Sequence, residues 1–139
     1  MQGARRLRER LEQDGYGWWV IDVKGGPSFA GVIALHVLPD HFPFRPTREI
    51  GWRLPFAAWG KGYATEGARA AIDHAFKVLD WTEVVSITSV LNTRSQRVMR
   101  RLGMTRDESE NFDHPSLKTG HPLLAHLVYR LKRAEYIRD

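Results

Sequence analysis

Gly60 and Gly62 stand two residues apart in "AAWGKGYATEGARAAIDHAF", directly ahead of an alanine-rich amphipathic run. A glycine turn that opens a helix presents unpaired backbone N–H groups and the positive end of the helix dipole, which is the chemistry of an anion cradle. Without a Cβ in the way, a phosphate can approach the main chain closely. The plain alternative is an ordinary strand-to-helix turn, which uses the same residue types. Counting removes two phosphate motifs. A P-loop needs a glycine where this chain has Pro55, and serine or threonine after Lys61, where it has Gly62. A dinucleotide fingerprint needs glycine or alanine at the slot filled by Thr65, and a βαβ opening where this chain has a meander.

Two other groups of residues invite chemistry. His114, His121 and His126 raise a metal reading, but two of them sit in His-Pro turns, none forms a helical i, i+4 pair, and the chain has no cysteine. Loop-anchoring histidines are the plainer reading, and no metal is expected. Arg94, Arg97, Arg100 and Arg101 fall on more than one helical face, so most should be solvated, with one or two able to meet a phosphate.

The elements that must position these residues follow from periodicity. Leu7 and Leu11 form an i, i+4 pair in a charged run, which predicts a short helix over 3–13 ended by Gly15. Residues 16–23 and 29–38 read as strands around "KGGP" turn chemistry at 24–27, a hairpin. Three prolines make 39–46 a loop, and 47–54 is a third strand. Ala64, Ala68, Ala71, Ile72, Ala75, Phe76 and Leu79 recur at helical spacing over 61–79. "EVVSITSV" (83–90) is apolar enough for a strand buried on both faces. Residues 92–103 predict a helix capped by Asn92 and stopped by Gly103, and 126–132 a last strand. This α-β-β-β-α-β-α-β order implies an α+β domain with a mixed sheet covered by helices. No repeat or linker divides residues 1–139, so one domain is expected.

Composition narrows the function class. Hydrophobic residues make up 42% of the chain, enough for a folded core. With no cysteine there is no disulfide framework and no thiol nucleophile. The first residues carry charge where a signal peptide would be apolar, and no apolar run approaches the roughly 18 residues of a membrane span. A soluble, cytoplasmic protein is the expectation. The net charge of +5 favours anionic partners, but no nucleic-acid motif supports sequence reading, so contact with RNA is expected only indirectly, through the ribosome.

"WGKGYATEG", the strand "EIGWRL" before it and "NTRSQRVMRRLGM" after it together resemble the GCN5-related N-acetyltransferases, and within them the RimJ/RimL type. The likeness spans roughly residues 5 to 132. Gly62 and Ala64 fill the last two defined slots of the family signature. The resemblance implies a three-layer α/β/α fold with a mixed, mostly antiparallel sheet. It implies acetyl-CoA as cosubstrate and an amine acceptor, either a peptide N-terminus of the ribosomal-protein kind or a small amine. Backbone N–H groups of Gly60, Lys61, Gly62, Tyr63, Ala64 and Thr65 would hold the pyrophosphate, with Lys61 adding charge. Trp59 fills a slot that usually holds glutamine or arginine. Pantetheine would lie along Trp52, Arg53 and Leu54, whose N–H groups would polarise the thioester carbonyl.

By the same resemblance Glu49 is a candidate base, with Glu108, Glu110 and Asp113 as alternatives; for Glu49 the plain reading is a strand carboxylate paired with Arg48 or Arg53. The thiolate would be protonated by Ser95, because the tyrosine of many relatives is replaced here by Met99, and Asn92 would bond the pantetheine amide as well as cap its helix. His114 or Tyr129 would touch the acceptor, which the histidine-rich loop borders. The resemblance also places Met1 inside the family's second helix, with roughly fifty residues of the usual fold missing ahead of it. A homodimer partner could cover the sheet edge this exposes. The rival expectations are a catalytically silent acyl-CoA-binding or regulatory domain, motivated by Met99, Trp59 and the short start, and a basic RNA- or ribosome-associated module, motivated by charge.

Overall fold

Seven strands follow one hydrogen-bonded order, β1-β2-β3-β4-β7-β5 with β6 also on β7, in a computed structural model that describes residues 16–26 and 29–136. They are β1 (Trp18–Ile21), β2 (Gly31–Val37), β3 (Arg48–Arg53), β4 (Glu83–Ser89), β5 (Thr105–Arg106), β6 (Phe112–Asp113) and β7 (Ala125–Lys132). Among the described residues three helices accompany them: α1 (Tyr63–Lys77), α2 (Thr93–Arg101) and the single turn α3 (Arg133–Tyr136). The sheet is mixed and mostly antiparallel, as the element order implies. The helix expected over 3–13 lies outside the described residues. The chain divides into two units, Met1–His36 with Ile50–Asp80 and Val37–Glu49 with Trp81–Asp139.

In the first unit, β1 and β2 form the expected hairpin, in register from Trp18↔Ala34 to Ile21↔Gly31. Helix α1 begins at Tyr63 and not at Lys61, because Gly62 is left-handed and takes the N-cap position. Ala68, Ala71, Ile72, Ala75 and Phe76 are its buried face, a stripe at i, i+3, i+4, i+7 and i+8. Full burial of Ile72 and Phe76 contributes about 1.5–3 kcal/mol each. The alanines keep the stripe shallow. A Cβ on Gly67 would stand 3.0 Å from Ile33 Cγ1 and 3.5 Å from Ile21 Cγ1, so the helix rides close on the hairpin.

In the second unit, β4 pairs antiparallel with β7 from Glu83↔Lys132 to Ser89↔His126 and parallel with β3 at Glu49↔Val85. Phe42, Phe44, Val85 and Val128 form a core, with Leu38, Ile87 and Phe112 packed against it. The 39–47 loop, with a cis Arg45–Pro46 bond, is pinned by its own Arg45, whose guanidinium donates to the carbonyls of Asp40, Phe42 and Phe44. Helix α2 has the expected Asn92 cap, Oδ1 accepting from Ser95 N at 3.1 Å. It ends in a Schellman motif: Gly103 N donates to Arg100 O and Met104 N to Met99 O, with Met99 and Met104 both buried.

Candidate active site

The glycine turn of the first unit is built by the residues just before it. After β3, Pro55 starts a 3₁₀ turn over Phe56–Ala58, and the Trp59 indole N–H donates to Leu54 O at 3.0 Å, closing the loop. The indole N–H of Trp59 therefore serves the fold, while its ring packs 4.8 Å from the exposed Phe56 ring. Gly60 and Gly62 follow with φ of 75° and 79°. A Cβ at either position would meet no atom within 4 Å, so within the chain the left-handed turn, not crowding, requires glycine. Gly62 gives α1 no side-chain cap, and Glu66 N makes the first helical bond, to Gly62 O. The N–H groups of Tyr63, Ala64 and Thr65 precede that bond and have no intrahelical acceptor, while Lys61 is exposed beside them. Trp52, Arg53 and Leu54 lie at the end of β3 in the same unit. Here the chain can bind an anion through main-chain nitrogen and the helix dipole.

Glu49, Asn92, Ser95 and Glu108 fall in the second unit. Glu49 is buried opposite Val85, and its neighbour Arg48 sits over the Trp81 ring at 5.3 Å. Ser95 is half-buried in the first turn of α2, and Met99 faces the core, where it can donate no proton. Glu108 is exposed, 3.7 Å from Arg106. Asp107 caps the same turn, and the backbone N–H and hydroxyl of Ser109 hold its carboxyl below the usual carboxylate range.

Glu110 is engaged elsewhere. Arg130, on β7, donates to both Glu110 carboxylate oxygens, to Glu83 Oε2 at 2.9 Å and to Arg45 O at 2.7 Å. One guanidinium thus ties β7 to β4, to the turn at Glu108–Glu110 and to the 39–47 loop, and Glu110 pushes its pKa up. Sequence reasoning missed Arg130, yet a signal existed: it follows Val128 by two in an apolar strand, so its charge must lie on the core face.

Strand alternation separates the other candidates. Tyr129 is buried toward α2, with Oη 3.5 Å from Gln96 Oε1 and from Arg100 Nη1. His126 and Val128 point to the other face, where His126 meets His114 at 4.8 Å between ring centroids. His121 instead accepts from Leu123 N on Nδ1, and no group of three metal-ligating side chains converges among the described residues. Phe42 and Phe112, also missed, wall the His114–His126 pair. Burial holds His114 below the ordinary imidazole range, aided by His126 and His41 and opposed by Glu49.

Comparison with known proteins gives these features a family. The profile of the "Acetyltransferase (GNAT) domain" matches residues 1–105. The FsC-acetyl coenzyme A-N(2)-transacetylase of Aspergillus fumigatus is 33% identical over 132 residues, 89% of this chain and 53% of that protein, so the chain spans about half of that relative's length. An acetyltransferase structure from Agrobacterium tumefaciens superposes with a TM-score of 0.67 at 32% identity, over 89% of this chain and 65% of that one. A ribosomal-protein-S5-alanine acetyltransferase from Vibrio fischeri superposes with a TM-score of 0.75 over 99% of this chain and 72% of its own, and at 17% identity shows the shared fold alone.

Proposed function

Because the chain belongs to the GNAT acetyltransferase family, we propose that it is an N-acetyltransferase moving an acetyl group from acetyl-CoA to a primary amine, a peptide α-amine in the first instance. The observation that carries this reading is the pair of left-handed glycines opening α1 with unpartnered first-turn N–H groups, which fits a diphosphate. The N–H groups of Gly60 to Thr65 grip the coenzyme, and the strand end at Trp52–Leu54 lies along its pantetheine. In the second unit Asn92 keeps its Nδ2 donors for the pantetheine amide while Oδ1 caps α2. Ser95 protonates the departing thiolate. Glu49, buried, is a candidate for taking a proton from the amine, and Glu108, exposed, is the alternative. Similarity to the Aspergillus FsC-acetyl coenzyme A-N(2)-transacetylase supports the reaction class.

The test couples calorimetry with thiol release. Acetyl-CoA should bind the chain tightly and release thiol with at least one of an alanyl peptide, a seryl peptide or spermidine. Absence of binding would refute the proposal. One observation favours a silent acyl-CoA-binding domain instead: Met99, buried where many relatives carry a tyrosine acid. Binding without turnover on any acceptor would select that reading.

A further inference from the structure

The second unit holds a pair of imidazoles that no step so far uses. The His114 and His126 centroids lie 4.8 Å apart with rings tilted at 60°. Phe42 stands edge-on to His114 at 5.4 Å, and Phe112 lies 5.7 Å from His126. His126 sits opposite Ser89, the last residue of β4, and opposite Phe112 of β6. The Glu49 and His41 charges both act on His114.

For uncharged rings, the backbone partners select opposite tautomers. Ser116 N–H donates to His114 Nδ1 at 3.1 Å, so the His114 proton is on Nε2. His126 Nδ1 lies 3.2 Å from Leu124 O; a carbonyl only accepts, so Nδ1 carries the proton and Nε2 keeps its lone pair. Among the described residues neither Nε2 has a hydrogen-bond partner. The pair thus offers one donor and one acceptor on rings whose centroids lie 4.8 Å apart, beside Phe42 and Phe112. Glu83 and Glu110 are bound to Arg130, and Glu108 and Asp113 are exposed. Glu49 is therefore the carboxylate that competes with the imidazole pair for the proton, and the His126→Gln rate decides between them.

We propose that His126 Nε2 takes the proton of the acceptor ammonium while His114 Nε2–H donates to an oxygen beside that amine, so that the acceptor is an amine with a neighbouring carbonyl or hydroxyl and not a bare polyamine. This rests on the acetyl-transfer reading above. One proton passes from R–NH₃⁺ to His126, leaving a neutral amine and an imidazolium. The amine nitrogen attacks the thioester carbon, the C–N bond forms and the C–S bond breaks. Ser95 gives its proton to the thiolate and takes the second proton from nitrogen, and the imidazolium returns its proton to water. Burial lowers the His114 pKa, which favours an uncharged donor beside the ammonium.

Three measurements test this. In ¹⁵N-histidine NMR of the wild-type chain, which no folding defect of a variant can confuse, His126 should be the Nδ1–H tautomer and His114 the Nε2–H tautomer. With alanylalanine amide as acceptor, His126→Gln should lower kcat about 100-fold while melting temperature and acetyl-CoA affinity stay put. Wild type should acetylate alanylalanine amide at least about tenfold faster than spermidine, and His114→Phe should narrow that ratio. An Nε2-protonated His126, a His126→Gln rate within about twofold of wild type, a preference for spermidine, or turnover of neither probe would each overturn the inference. Failure of acetyl-CoA to bind would instead strike the acetyl-transfer reading and leave the tautomer result standing.

Discussion

Replacing Arg130 with methionine should be the most damaging single substitution in the second unit. The guanidinium is the shared donor for Glu110, Glu83 and Arg45 O, and the side chains of Arg130, Glu83 and Glu110 are only 19%, 17% and 26% exposed. Removing the cation strands two shielded carboxylates and a carbonyl. Breaking a buried pair by deleting one partner costs about 3–5 kcal/mol. At about 3–4 °C per kcal/mol for a chain of this size, the melting temperature should fall by about 10–20 °C. Thermal unfolding by circular dichroism, with urea titration for the free energy, reads both quantities. Arg130→Lys should fall between, because an ammonium cannot reproduce the fork held by Glu110. Adding Glu83→Gln and Glu110→Gln to Arg130→Met should recover part of the loss, since no charge is then stranded. A drop under about 3 °C for Arg130→Met would refute the reasoning and reduce the network to a surface ion pair.

Gly62→Ala should destabilise by about 1–2 kcal/mol through its left-handed φ, and acetyl-CoA titrated by calorimetry should bind it more weakly than wild type. Ser95→Ala should lower kcat more than acetyl-CoA affinity; an unchanged rate would remove Ser95 from the proposed mechanism. Stability should rise with pH through the window just below 6.5, because the folded state holds His114 beneath its unfolded pKa and the unfolded chain binds the extra proton there. His114→Gln should flatten that slope in urea titrations at stepped pH; an unchanged slope would show that His114 does not set it.

Where a residue pattern repeats, the sequence was a sufficient guide. The alanine stripe of α1, the doubly buried β4 and the Asn92 cap need only local periodicity and one side-chain bond, and each is found. The start of α1 moved because the glycine that opens it is left-handed, which composition does not reveal. β5 and β6 escaped because two residues carry no period. The His114–His126 pair and its walls depend on contacts between segments far apart in the chain, Phe42 with His114 above all, which no spacing rule can supply. The glycine pair was legible as a turn, and both residues are left-handed. Trp59 stands in a slot where relatives carry a polar side chain, and its indole N–H closes the preceding loop, a role that spacing alone does not reveal.

The low seat of α1 on the hairpin has a consequence for how this protein could be tuned. A single methyl at Gly67 would stand 3.0 Å from Ile33 Cγ1, so either that side chain gives by a few tenths of an ångström or the rod rises. The leading tip of that rod carries the amides that face outward from Tyr63 to Thr65. Drift or engineering could therefore adjust the proposed coenzyme grip from beneath, by adding or shaving carbon at the shim while leaving every group at the tip unchanged.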